Sequence, residues 1–200
     1  MHSDLKRALF ATALAALTVP AFSQTAPSTA APVVQQRKEN QQDRIANGVQ
    51  SGQLTAGETA NLEKKESALN KEENRMKKRD DGNLTAADKT RLTRQQNRLS
   101  RNIYRDKHNG LVQNTSPKTE VGQRQRNQQE RIAQGVKSGQ LTASETAHLE
   151  HREAAINKEV KTERAANGGT LTPVERKQVN RQQNRASNAI YRKKHNGRTQ

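Results

Sequence analysis

The chain has 200 residues, a net charge of +16 and a hydrophobic content of 30%, with two Phe, two Tyr, no Trp and no Cys. An ordinary globular domain is about 45–50% apolar when glycine is counted, so any core here is thin. The lack of cysteine excludes disulfides, thiolate metal sites, a cysteine nucleophile and a lipidated amino-terminal cysteine.

In chain order, Lys6 and Arg7 precede the apolar run Ala8–Val19, which Pro20 breaks. The run is too short to span a bilayer. Ala21 and Ser23 supply small residues for cleavage before Gln24, so residues 1–23 read as a secretory signal peptide. The expectation is an exported, basic protein, periplasmic or secreted. Residues 24–36 are rich in Pro, Ala, Ser and Thr and read as a flexible linker.

The remainder is a duplication. Residues 37–110 align with 124–197 at a constant offset of 87, without a gap, and 41 of the 74 positions are identical. Residues 111–123 read as the linker between the copies. Each unit holds two Leu-Thr turns 30 residues apart, at Leu54 and Leu84, then at Leu141 and Leu171. Helix formers fill the segments between them, and glycine and proline sit at their ends. The first unit therefore predicts one helix ending near Val49, a second from about Ala56 to Arg79 and a third from about Ala86 to His108. Short connections make neighbours antiparallel. The expected fold class is all-α, two tandem up-down-up three-helix units.

The turn "SGQLTAGE" (Ser51–Glu58) returns as "SGQLTASE" (Ser138–Glu145), with looser copies at Asp81–Asp88 and Gly168–Glu175. As a helix boundary, Gly52 closes one helix in the left-handed region. Thr55 then caps the next, with Glu58 completing a capping box. As the second half of a calcium loop, the glycine and terminal glutamate fit the EF-hand register. The ligand places do not: the first loop offers Asn47, Val49 and Ser51, the second Lys77, Arg79 and Asp81. Capping is the favoured reading, and a weak divalent-cation binder or sensor is the alternative.

The apolar stripes are narrow: Ile45 and Val49, then Leu62, Leu69 and Met76, then Leu92, Leu99 and Ile103. Glu66 and Gln96 fall on or beside this seam and recur as Glu153 and Gln183. The expectation for them is partial exposure, or pairing with Arg98 and Arg185 across the bundle. A buried polar site is the alternative.

The stretch "RQQNRLSRNIYRDKHNG" returns as "RQQNRASNAIYRKKHNG". On a helix, Arg94, Arg98 and Arg105 lie roughly on one face, repeated by Arg181, Arg185 and Arg192. Tyr104 and Tyr191 lie beside them. Guanidinium forks suit phosphate and carboxylate, and a basic stripe is the footprint of a polyanion surface. These six arginines are the candidate polyanion-binding residues.

No residue pattern supports catalysis, a cofactor or a phosphate-binding loop. His148 and His151 sit three apart, but Asn61 and Lys64 take their places in the first unit. The motif "RIxxGVxSGxLTxxExxxLE" with the closing "NRxSxxIYRxKHN" resembles a group of small exported bacterial helical-repeat proteins with degenerate EF-hand-like turns. That resemblance implies a helical repeat and an envelope location, and assigns no catalytic or ligand residue. The expected function is binding, without catalysis, to nucleic acid, lipopolysaccharide or another acidic envelope polymer.

Overall fold

The computed structural model describes residues 30–113 and 118–199; the expected signal peptide lies outside them. Six α-helices make up the fold: α1 (Ala30–Ser51), α2 (Ala56–Arg79), α3 (Ala86–Lys107), α4 (Glu120–Lys137), α5 (Ala143–Ala166) and α6 (Pro173–Lys194). The described chain is all-α, as two up-down-up three-helix units.

Each boundary has a local chemical cause. Thr55, Thr85, Thr142 and Thr172 are N-caps, and each forms a reciprocal capping box with the carboxylate three residues on. Pro173 opens α6 at a position where a missing N–H costs nothing. Gly52 and Gly139 close α1 and α4 with φ of 73° and 70°. Inside these turns, Leu54 and Leu141 fold back so that their N–H groups donate to Gly48 and Gly135 at 3.0 Å. Both leucines are fully buried. A Cβ on Gly48 or Gly135 would lie 2.6 Å from the leucine Cδ1, so glycine is required there by close approach.

Two expected boundaries move. α1 begins at Ala30, inside the stretch 24–36 read as a linker, and α4 begins at Glu120, inside the linker 111–123. Burial explains both shifts. Val34 and Val121 are 3% exposed, and their carbonyls accept from the Gln96 and Gln183 side chains at 2.9 and 3.0 Å. Proline- and threonine-rich composition conceals about two further turns of α1 and one of α4. The start of the second linker is also held down: Gln113 donates its backbone N–H to Gly52 and accepts from the Ala56 N–H, both at 2.9 Å.

The two units form one body. α3 packs on α1 and α2, α6 packs on α4 and α5, and the units meet through α1 against α4 and α2 against α5. Both pairs are antiparallel. The start of α2 (Ala56, Gly57) shares a groove with the later half of α5 (Val160, Arg164), and Gln35–Asp43 of α1 lie beside Val136 and Lys137 at the end of α4. The contact is of isologous form. Ala133 belongs to the apolar cluster of the first unit, and Ala46, its counterpart, to a cluster of the second. The first unit has one continuous core. The second has two clusters, parted where Ala186 stands in the place of Leu99.

Candidate polyanion interface

α3 turns Leu92, Gln96, Leu99 and Ile103 inward. At 100° per residue, Arg94, Arg98 and Arg105 fall on the opposite face, and all three are exposed. Arg101 lies among them. On α6, Val179, Gln183, Ala186 and Ile190 face inward, and Arg181, Arg185 and Arg192 are exposed. Arg105 pairs with Asp106 at 3.0 Å. Among the described residues, none of Arg94, Arg98, Arg181, Arg185 and Arg192 has a carboxylate within ion-pair distance.

Four further arginines border these faces and are not prominent in the sequence. Arg37 donates to Asn97 at 2.9 Å, and Arg44 donates to the Ser100 hydroxyl at 2.5 Å and its carbonyl at 3.2 Å. Arg124 and Arg131 repeat the pattern with Asn184 and Ser187. The Arg44–Ser100 and Arg131–Ser187 pairs are half-buried, the Arg37–Asn97 and Arg124–Asn184 pairs exposed, and all four extend the basic surface from α1 onto α3 or from α4 onto α6. Their spacing of seven and their recurrence at the offset of 87 are the signals that identify them.

The rest of the closing motif has structural work. His108 and His195 end α3 and α6, with Nδ1 donating to the carbonyls of Tyr104 and Tyr191 at 2.6 and 2.7 Å. Each imidazole also lies against the tyrosine ring, with centroids 4.2 and 4.3 Å apart. Asn109 donates to Glu58 at 2.5 Å and Asn196 to Glu145 at 2.6 Å, tying the end of the third helix to the first turn. Thus the best-matched ends of the repeat meet in space. The same contacts occupy the carboxylates that a calcium loop would use. Glu58 Oε2 accepts from the Thr55 N–H at 2.9 Å while Oε1 holds Asn109. Among the described residues, no group of three or more His, Asp or Glu side chains is placed to hold a metal ion. His148 and His151 are exposed.

The expected partial exposure of Glu66 and Gln96, or their pairing with Arg98, does not occur. Glu66 and Glu153 are 1% exposed, Gln96 5% and Gln183 1%. The arginines lie on the far side of α3 and α6. Glu63 and Glu150 are also fully buried, and Glu150 lies near enough to act on Glu63 across the α2–α5 contact. The second unit covers what an isolated three-helix bundle would leave wet.

This seam is rich in acceptors. Gln42 donates to Glu63 at 3.3 Å and Gln129 to Glu150 at 2.9 Å. Glu63 Oε1, Glu66 Oε2, Glu150 Oε1 and both Glu153 oxygens have no hydrogen-bond partner among the described residues. A carboxylate only accepts, whereas a carboxylic acid also donates. Burial accordingly pushes Glu150 and Glu153 up to about 8. Burial raises Glu66 to about 7; the Lys38 charge restrains the rise and the neighbouring Glu73 adds to it. Glu63 is raised well above its ordinary value by burial and then by Glu66, with a smaller push from Glu150.

No protein-family model, curated protein or solved structure matches this chain.

Proposed function

We propose that the protein is an exported binding protein, not an enzyme, that takes a polyanion on the arginine faces of α3 and α6. One observation carries the reading. Arg94 and Arg98, with Arg181, Arg185 and Arg192, stand exposed without a carboxylate partner among the described residues, while the sequence around them supplies caps and core. Exposed arginines outside ion pairs leave their donor fork open to an external phosphate or carboxylate. The net charge of +16 favours any anionic polymer at long range.

The experiment is a salt titration of binding to duplex DNA and to lipopolysaccharide, with wild type and with Arg98→Gln plus Arg185→Gln. Each lost phosphate contact lowers the slope of log affinity against log salt by about 0.7–0.9. Weaker binding to any nucleotide sequence, with helicity kept, supports the reading. An unchanged salt slope in a folded double variant removes it.

A further inference from the structure

We propose that the two arginine faces point away from each other, so that one molecule joins two separate double-stranded nucleic acids. The inference rests on the polyanion reading of α3 and α6 and adds what the geometry does with it. Among the described helices, α3 touches only α1 and α2, and α6 touches only α4 and α5. The α1–α4 and α2–α5 contacts lie between them. The order through the molecule is α3, then α1 with α2, then α4 with α5, then α6.

Packed helices lie about 8–10 Å apart and each outer helix sits in the groove between two others, so the α3 and α6 axes are roughly 20–28 Å apart. Within each outer helix the apolar residues face the centre and the arginines face outward. The outward directions are therefore opposed. A stiff polyanion lying along Arg94–Arg105 stays beyond the reach of Arg181–Arg192. Screening separates the two faces further, because the Debye length is only about 10 Å at 0.1 M salt. A flexible linker would have let both faces close on one polymer and raise the effective concentration of the second. The packed units prevent that.

The form of each face selects the partner. Arg94 to Arg105 runs about 16 Å along a straight helix at 1.5 Å per residue. That length passes roughly ten charges of a duplex at one per 1.7 Å. The face is convex, and among the described residues no other helix borders it on the outer side to enclose a single strand. Tyr104 and Tyr191 already stack on His108 and His195. Charge along a duplex backbone, rather than base stacking, is the contact such a face makes.

The test uses the chain from Gln24 with two duplexes of one length, one on beads and one fluorescent. Anisotropy reads binding and its stoichiometry; bead-bound fluorescence reads bridging. The single-face variants are Arg94→Gln/Arg98→Gln/Arg105→Gln and Arg181→Gln/Arg185→Gln/Arg192→Gln, with helicity checked by circular dichroism. Wild type should bind two duplexes per molecule and capture the fluorescent one. Either variant should bind one duplex and lose capture. Wild type that binds one duplex without capture overturns bridging and leaves the polyanion reading standing. Capture that persists in both variants also overturns it. Wild type that binds lipopolysaccharide vesicles but no duplex overturns the assignment to nucleic acid. Failure to bind either removes the polyanion reading and bridging with it.

Discussion

Gln42 of α1 donates its side-chain amide to Glu63 of α2 at 3.3 Å, in a place where both side chains are almost wholly removed from water. The second unit repeats this with Gln129 and Glu150 at 2.9 Å. One amide donor per carboxyl leaves acceptors over, and a proton is the simplest way to satisfy them.

Stability should therefore fall as pH rises from about 4.5, the ordinary glutamate value, to about 8, where Glu150 and Glu153 ionise in the fold. The sign follows from linkage: over that range the folded state holds protons that the unfolded state has released, and stability drops wherever the native state binds more protons. Below that range the opposite holds for Asp88, Glu145 and Glu175. Hydrogen bonds lower all three, from Thr85 for Asp88, from Asn196 and Thr142 against the upward push of burial for Glu145, and from Thr172 for Glu175, so stability present above their ordinary values is lost as pH falls through their folded ones. Urea midpoints between pH 4 and 9 should peak near pH 5. Glu150→Gln with Glu153→Gln should raise the midpoint at pH 8 and flatten the decline. Removing two buried ionisations has a ceiling of several kcal/mol at about 1.36 kcal/mol per pKa unit. A midpoint that climbs with pH would show that the seam is ionised and solvated.

The glycines beneath the first turns give a steric test. Gly48→Ala places a methyl 2.6 Å from Leu54 Cδ1 and should cost about 1–3 kcal/mol as overpacking, although alanine is the better helix former. Gly57→Ala, where a Cβ meets nothing within 4 Å, should stabilise α2 slightly. Combining Gly48→Ala with Leu54→Ala should cost less than the two changes summed, because they share one space. Full additivity in chemical denaturation would show that the leucine is not what the methyl meets.

The capping boxes give a second test. Thr55→Ala should cost about 0.5–2 kcal/mol, since the Thr55 hydroxyl accepts from the Glu58 N–H and donates to the Glu58 carboxylate. With Glu58 and Glu145 engaged in this way, millimolar calcium should leave the melting temperature where it was. A rise of many degrees would restore the divalent-cation alternative.

What the sequence made legible was what short range decides. Thr55, Glu58 and Gly52 lie within seven residues of one another, so the turn could be read as a cap from its own chemistry. The outward placement of Arg94 and Arg98 follows from the 3.6-residue period once Leu92, Leu99 and Ile103 are taken as core. The fate of Glu63 and Glu66 was not legible. Glu63 faces Glu150 of a second unit 87 residues away, and nothing in the period of α2 states that its polar side is covered. The directions of the two arginine faces also depend on that contact. Arg37 and Arg44 do not stand out in the sequence because their α1 stretch reads as polar on every side, and only its packing on α3 gives them a place.

The contact between units turns on two small residues and can be tested by crowding them. Ala46 is 2% exposed and Ala133 4%, and each belongs to an apolar cluster of the other unit. Small side chains there let α1 and α4 approach closely. Replacing both by Leu inserts added volume at the contact and leaves each unit's own capping boxes and turns in place. The units should part, with helical circular dichroism nearly kept and a larger radius of gyration in X-ray scattering. Opening the contact also brings water to Glu63, Glu66, Glu150 and Glu153. Ionisation then no longer opposes folding there, so the decline in stability between about pH 4.5 and 8 should weaken in the same variant. If the radius and the pH profile both stay as in wild type, α1 and α4 do not meet at these alanines and the four-layer order is wrong.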